Sequence, residues 1–447
     1  MSRWNLAWLL VLPAIVILGV AVTASAPPPD RDYQLVRTVV DVLAEVDKNY
    51  VRELTDDDKK KLVSDMINGG LGRLDPHSEY FTKEDYESFE SQTEGQFGGV
   101  GIMLGIDPKT SLLKVESPMP GTPAYDAGIQ SNDLIMKVGD RSTENMRIDE
   151  ARKLIMGPPG TTVTLTLFPE GGKAVRDVTL TRAKIEVHPV KGFARKPDDP
   201  ARWDYLADPA NKIALIRLEG FTERSDKELI AAIADAEKAG AKALVLDLRD
   251  NPGGLLSQAV KISNLFLPGG KIVSTKDRNG SGREWKADPA KVLWPADKPL
   301  AVLVNKQSAS ASEIVASALQ DNKRAVIVGE RSYGKGSVQK LFQLPHGQDA
   351  VKLTSEVWLT PNGKNIHRWP TSKDSDEWGV KPDAGFEVKL TPEERLAYIV
   401  HMRQLDQVKG KGPKPEPEPK EGKDKAAPFT DKVLDKAMEY LKEKVKG

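Results

Sequence analysis

The chain has 447 residues, with 65 basic and 65 acidic side chains, five histidines and no cysteine. Its length accommodates two or three domains with ample cores, and its balanced charge gives no footing for nucleic acid or a strongly acidic partner. Without cysteine there are no disulfides, no His/Cys/carboxylate spacing suggests a metal, and a serine hydroxyl activated by a buried lysine amine becomes the leading chemistry.

Residues 1–29 form the first segment. Arg3 precedes an apolar run from Leu6 to about Val22, followed by Pro27, Pro28 and Pro29. The run approaches the ~20 residues that span a bilayer. Ala24-Ser25-Ala26 has the form of a signal-peptidase site, which would make it a removed signal. Pro27 hinders cleavage there and favours a retained single-pass membrane anchor. In both cases Arg3 stays on the cytoplasmic side and the rest is exported.

Residues 30–94 read as helical, because Val36, Val39, Val40, Leu43 and Val46 recur at helical spacing and a second helix follows from about Asp56 to Leu71. Leu74 to Ser78 reads as a turn. Residues 95–185 change to short β-type runs between glycines and prolines, with short helices near Ala124–Gly128 and Arg147–Met156. Residues 186–407 alternate strand and helix, which argues for an α/β core with helices packed on a sheet. Residues 408–428 are a solvated Lys/Pro/Glu linker. Residues 429–447 regain helical periodicity through Val433, Ala437, Met438 and Leu441, an apolar stripe that must dock on this chain or on another copy.

Three motifs carry chemistry. Ser310 lies in a run of small residues, and Lys335 stands between Gly334 and Gly336. A lysine can take a serine proton only if burial draws its pKa down, and few acids stand nearby in sequence to hold the ammonium charged. The amides of Gly253 and Gly254 after a strand, with that of Ala311, have the makings of an oxyanion hole. Gly99, Val100, Gly101 and Ile102 precede an apolar strand, so their backbone N–H groups are placed to bind a peptide carboxylate while the strand edge pairs with the peptide. The bland readings of the two glycine clusters are turns.

Gly329 to Lys335 matches the start of a phosphate-binding loop, but Gly336 stands where Ser or Thr must hold magnesium. That disfavours a nucleotide-dependent enzyme. Ser337-Val338-Gln339-Lys340 has a Ser-x-x-Lys spacing without its partner motifs. His77, His188, His346 and His367 sit among turns and prolines and read as surface or turn residues.

In this order, Leu74-Asp75-Pro76-His77-Ser78, Phe97 to Ile102, Asp247 to Gly254, Ser308 to Glu313, Gly334 to Gln339 and Thr360 to Gly363 resemble the C-terminal processing peptidases, or tail-specific proteases. The resemblance implies an exported serine endopeptidase with Ser310 as nucleophile, Lys335 as general base and Gln339 orienting the lysine. It also implies a crotonase-like α/β core with an inserted PDZ domain, no metal or organic cofactor, and protein substrates with exposed apolar C-termini. Self-association through the terminal helices is a further expectation. The alternative is a catalytically silent peptide or lipophile carrier of the same fold. Tyr333 stands where the family more often has phenylalanine, and residues 365–381 are longer than usual, forming a surface loop of no assigned role.

Overall fold

The computed structural model describes residues 31–172, 174–345, 348–408 and 429–446. It comprises two compact units that part at Leu74/Asp75. The described part of the first unit is two helices, Arg31–Asn49 and Asp56–Leu71. Thr55 caps the second: its hydroxyl accepts the Asp58 amide, and the Asp58 carboxylate accepts the Thr55 amide at 3.1 Å. Val36, Val39 and Val40 of the first helix are exposed. The segment expected to anchor the chain in a membrane, residues 1–29, lies outside the described residues. Among those described, no helix is long and apolar enough to cross a membrane.

The second unit is built on a sheet whose strands Ile213–Leu218, Ala243–Asp247, Leu300–Val304 and Val326–Gly329 run parallel in that order. Parallel strands are covered on both faces, which is why these four read as mostly apolar runs, broken only by Arg217 and ended by Asp247. Alternate residues face opposite ways. Ala214, Ile216, Leu244, Leu246 and Val302 meet helices Ser225–Lys238, Leu256–Asn264 and Ala311–Asp321. Leu215, Val245, Ala301, Leu303 and Val328 share the other core with Val433, Ala437, Met438 and Leu441 of helix Lys432–Lys446. The terminal helix therefore docks on its own chain.

Beside this core lies an antiparallel sheet in which the long strand Ala350–Leu359 pairs with Ser337–Gln343, with Lys271–Asp277 and with Glu79–Phe81. The last of these departs from the all-helical expectation for residues 30–94. Its three residues were not legible as a strand because their pairing partner lies far along the chain.

Residues 96–186 form a separate β-rich body. Ile102–Ile106, Leu113–Pro118, Leu134–Val138, Thr162–Phe168 and Arg176–Thr181 make an antiparallel sheet around Leu113, Ile135, Leu165 and Leu167, which are fully buried. Helix Ile148–Ile155 lies against the strand 102–106. Gln96–Gly99 and Ala183–Glu186 pair at the base, where the body enters and leaves the rest of the unit.

Candidate active site

The strand 300–304 hands the chain to a tight turn. Asn305 donates its amide to Ser308 Oγ, which donates to the Leu248 carbonyl at 2.8 Å. Ser310 follows at the mouth of helix 311–321 with φ 54° and ψ −112°. For a residue with a Cβ, such a backbone costs about 1–3 kcal/mol and persists only where its surroundings enforce it. Gly253 is part of that enforcement. Its φ is +99°, and a Cβ there would stand 2.8 Å from Ser310 Cβ and 2.7 Å from the Ala309 carbonyl oxygen. Only glycine lets the two turns meet.

One fully buried carboxylate joins this turn to the lysine. Glu313 Oε2 accepts the amides of Ser310 and Lys335, each at 2.8 Å, while Oε1 accepts the Gly334 amide at 2.6 Å and Ser332 Oγ at 2.5 Å. Burial pushes the Glu313 carboxyl above its usual range and the four donors pull it back. Four converging donors require an acceptor with no proton of its own to place, which is the carboxylate form. The expectation that few acids stand near the lysine is corrected here. Glu313 belongs to the turn of Ser310 and meets Lys335 only through the fold.

Every backbone polar group of Gly334, Lys335 and Gly336 has a partner. The first two amides go to Glu313 and the third to His367 Nδ1 at 3.2 Å. The three carbonyls accept, in order, the Arg368 amide at 2.8 Å, Trp358 Nε1 at 2.8 Å and the Trp358 amide at 2.9 Å. Burial lowers the Lys335 pKa below the usual ammonium range, and the nearby cation Lys352 lowers it further against the opposing pull of Glu313 and Asp75. Among the described residues no hydrogen bond joins the lysine amine to Ser310 Oγ.

Gln339 does not reach the lysine as expected. Its Nε2 donates to Ser337 Oγ and Thr354 Oγ1, both at 3.0 Å. Lys335 precedes the strand that begins at Ser337, so the side-chain alternation of that strand does not extend back to the lysine and a count of four residues does not place the two on one face. Thr354 Oγ1 donates onward to Asp75 Oδ1 at 3.0 Å, and Asp75 also accepts the amides of His77 and Ser78. The turn at 75–78 thus lands beside the lysine. His77 is lowered in pKa by burial first and by Lys335 second. Sequence reasoning took this histidine for a turn residue, and nothing local marks its neighbour.

The oxyanion expectation also needs revision. The Gly253 amide donates to Asn251 Oδ1 at 2.9 Å and is buried, so it is not available to a substrate. Among the described residues the amides of Gly254, which is exposed, and of Ala311 donate to nothing. Asn251 is itself fixed by donating to the Leu218 carbonyl at 2.7 Å. The neighbouring Arg249 is buried and bridges Asp247 to Asp431, at 2.6 and 2.9 Å, tying the turn at 250–254 to the start of the terminal helix.

In the β-rich body, the amides of Val100 and Gly101 donate to no group among the described residues. Their carbonyls are held, Val100 by the Ala124 amide and Gly101 by that of Met119, each at 2.9 Å. The free amides open on a cavity of about 560 Å³ lined by Ile102, Leu104, Ile148 and Ile155 on one side and by Arg195 and Trp203 of the core on the other. A second cavity of about 740 Å³ shares Met103, Leu104 and Ile148 with it and reaches Asp250, in the turn at 250–254.

Two family models match this chain, peptidase family S41 over residues 212–385 and the PDZ domain over 114–167. The chain belongs to peptidase family S41: it is a PDZ-containing serine peptidase of the C-terminal processing kind. The carboxyl-terminal-processing protease of Synechocystis sp. is 36% identical over 72% of this chain and 70% of its own length. The carboxy-terminal-processing protease of Bartonella bacilliformis is 35% identical over 89% of this chain and 86% of its own. Among solved structures, a photosystem II D1 C-terminal processing protease is similar at 27% identity and a TM-score of 0.43, covering 78% of this chain and 92% of that one.

Proposed function

We propose that the peptidase works by a Ser–Lys dyad, with Ser310 as nucleophile and Lys335 as general base. The observation that carries this reading is the shared carboxylate oxygen. Glu313 Oε2 takes the amides of both residues at 2.8 Å, so the two side chains start from backbones fixed to a single point. A depressed lysine pKa supports it, since only the neutral amine can accept the serine proton. Ser310 Oγ attacks the scissile carbonyl as its proton passes to Lys335 Nζ. The tetrahedral oxyanion is met by the amides of Gly254 and Ala311, the acyl-enzyme forms as the amine leaves with that proton, and water then completes hydrolysis. Gln339 acts at one remove, holding Ser337 and Thr354.

The PDZ module, taken as residues 95–185, captures an exposed apolar C-terminus with its carboxylate on the amides of the 99–102 loop, and the catalytic core, crotonase-like and spanning 186–407, receives the chain at Ser310. The peptidase acts outside the cytoplasm, held at the membrane by residues 1–29. Self-association, in this reading, uses the exposed face of helix 31–49, because helix 432–446 has its apolar face on its own sheet.

The test is to incubate the fragment from about residue 30 with a peptide library and identify products by mass spectrometry. Products that vanish in both Ser310→Ala and Lys335→Ala are expected. Undiminished cleavage by Lys335→Ala would refute the dyad.

A further inference from the structure

The lysine loop has six backbone hydrogen bonds, and one of their partners is a histidine ring. His367 Nδ1 accepts the Gly336 amide at 3.2 Å, so its proton sits on Nε2 and the ring is neutral while the bond exists. The ring is held in place from both sides. Asn365 Oδ1 accepts the His367 amide at 2.7 Å, the neighbouring Arg368 amide is bonded to Gly334, and the Trp369 ring meets the imidazole edge-on at 4.4 Å. Contact with the loop is close: a Cβ on Gly336 would stand 2.7 Å from the His367 amide nitrogen. These residues open the 365–381 segment, whose far end also reaches the site, where the Val380 amide donates to Ser332 Oγ at 2.6 Å. The charged and titratable groups that act on the ring are Asp75 and His77 from the turn at 75–78 and Lys335 from the loop.

We infer that His367 is a positioning residue for the general base. Its neutral ring holds the Gly336 amide and so fixes the place of Lys335, and protonation at Nδ1 turns this acceptor into a donor facing a donor and releases the loop. The inference rests on the Ser–Lys reading. It requires no bond to substrate and no proton transfer from the histidine during turnover. The direction of control follows from the site. Burial keeps the ring neutral and holds its pKa below the usual histidine range, with Asp75 opposing that and Lys335 adding to it. The loop is therefore held at neutral pH and released in acid.

The consequence is a profile with two breaks. Below the lysine pKa, log kcat/KM falls with unit slope as the amine is protonated. Below that of His367, under the ordinary value of about 6.5, the slope becomes two because two groups must each lose a proton. The measurement is kcat/KM on a short peptide from pH 5 to 9 for wild type, His367→Asn, His367→Ala and His77→Asn. Asn carries an acceptor oxygen near the position of Nδ1 and does not titrate. His367→Asn should keep neutral-pH activity and unit slope throughout, exceeding wild type by about tenfold one pH unit below the second break. His367→Ala should lower kcat at every pH with KM little changed, and His77→Asn should keep both breaks. A second break that persists in His367→Asn, a wild type with only one break, or a His367→Ala enzyme with wild-type kcat would each overturn the inference. If His367→Ala fails to fold, the slopes of wild type and His367→Asn decide. Lys335→Ala separates the two readings: if it is active, the dyad itself is wrong, whereas if it is inactive and His367→Asn still shows the second break, only the role of His367 is lost.

Discussion

Two glycine-rich loops of this chain look alike in sequence and differ in what their backbones do. Around Lys335, all three amides and all three carbonyls of Gly334–Gly336 are bonded within the protein. At Val100 and Gly101 the carbonyls are bonded and the amides are idle, opening on a cavity. A loop with every polar group satisfied is rigid and fixes the origin of a side chain. A loop with donors left over has unmet demand for an anion, since unpaired N–H groups gain most from a charged acceptor. The turn at 250–254 combines both states, with the Gly253 amide committed to Asn251 and that of Gly254 idle among the described residues. Glycine serves close approach in both loops, but only one leaves its amides vacant, and the two should fail separately.

The largest separation is expected from the dyad. Ser310→Ala and Lys335→Ala should each lower kcat by about 10³-fold or more, as removal of a nucleophile or its base does elsewhere, with tail-peptide binding unchanged. Lys335→Arg should not restore turnover, because a guanidinium keeps its proton at any working pH. Loss of peptide binding along with catalysis, measured by calorimetry, would break the division between the loops.

Glu313→Gln tests whether loop satisfaction positions the lysine. The amide keeps the shape but places its NH₂ against two of the four donors. Unpaired buried groups cost about 1–3 kcal/mol each, so thermal unfolding should fall by several degrees and kcat by about a hundredfold at fixed KM. A stable variant with wild-type kcat would show that the lysine loop holds itself.

Activity should rise with pH through the titration of Lys335. Burial depresses this amine, so its midpoint lies below the free-lysine value of about 10.4, and each unit below that midpoint, down to the His367 break, should cost about tenfold in kcat/KM. The sign for stability agrees: the unfolded chain binds the proton more tightly, so this group costs stability below its folded pKa and ceases to do so as pH rises past the unfolded value. A flat profile from pH 5 to 9, with chemistry rate-limiting, would contradict a lysine base.

The smallest effects belong to the vacant loop. With the Ser310→Ala protein, a peptide ending in apolar residues should bind about tenfold more tightly as the free acid than as the amide, since the charge-assisted bonds are worth roughly 1.5–3 kcal/mol. Gly101→Val should remove the same increment. Gly101 has φ +79°, and a Cβ there would overlap the side chain of Thr122. Equal affinities for acid and amide by titration calorimetry would mean that the free amides do not read chain ends. Turnover of a short untailed peptide should be unaffected in Gly101→Val.

Much of this was legible along the chain. The mostly apolar runs at 213–218, 243–247 and 300–304 announce strands buried on both faces, and helical spacing in 433–441 announces a docked helix, because side-chain periodicity is a local property. The chemical identities of Ser310, Lys335 and the glycines are local as well, and they sufficed to nominate the loops. What the sequence could not supply is which loop is full and which is vacant, since a backbone group's partner depends on segments far away. Glu313 reaches the lysine loop across the fold, His367 arrives from the long 365–381 segment, Asn251 takes the Gly253 amide, and the strand 79–81 exists only because residues 350–352 lie beside it. Gln339 stands in the strand 337–343 and Lys335 before it, so the strand was legible while the partner of the Gln339 side chain was not. Sequence decided the residues and their periodicity. Tertiary structure decided hydrogen-bond occupancy, because each donor is filled by whichever acceptor the packing of distant elements brings within reach.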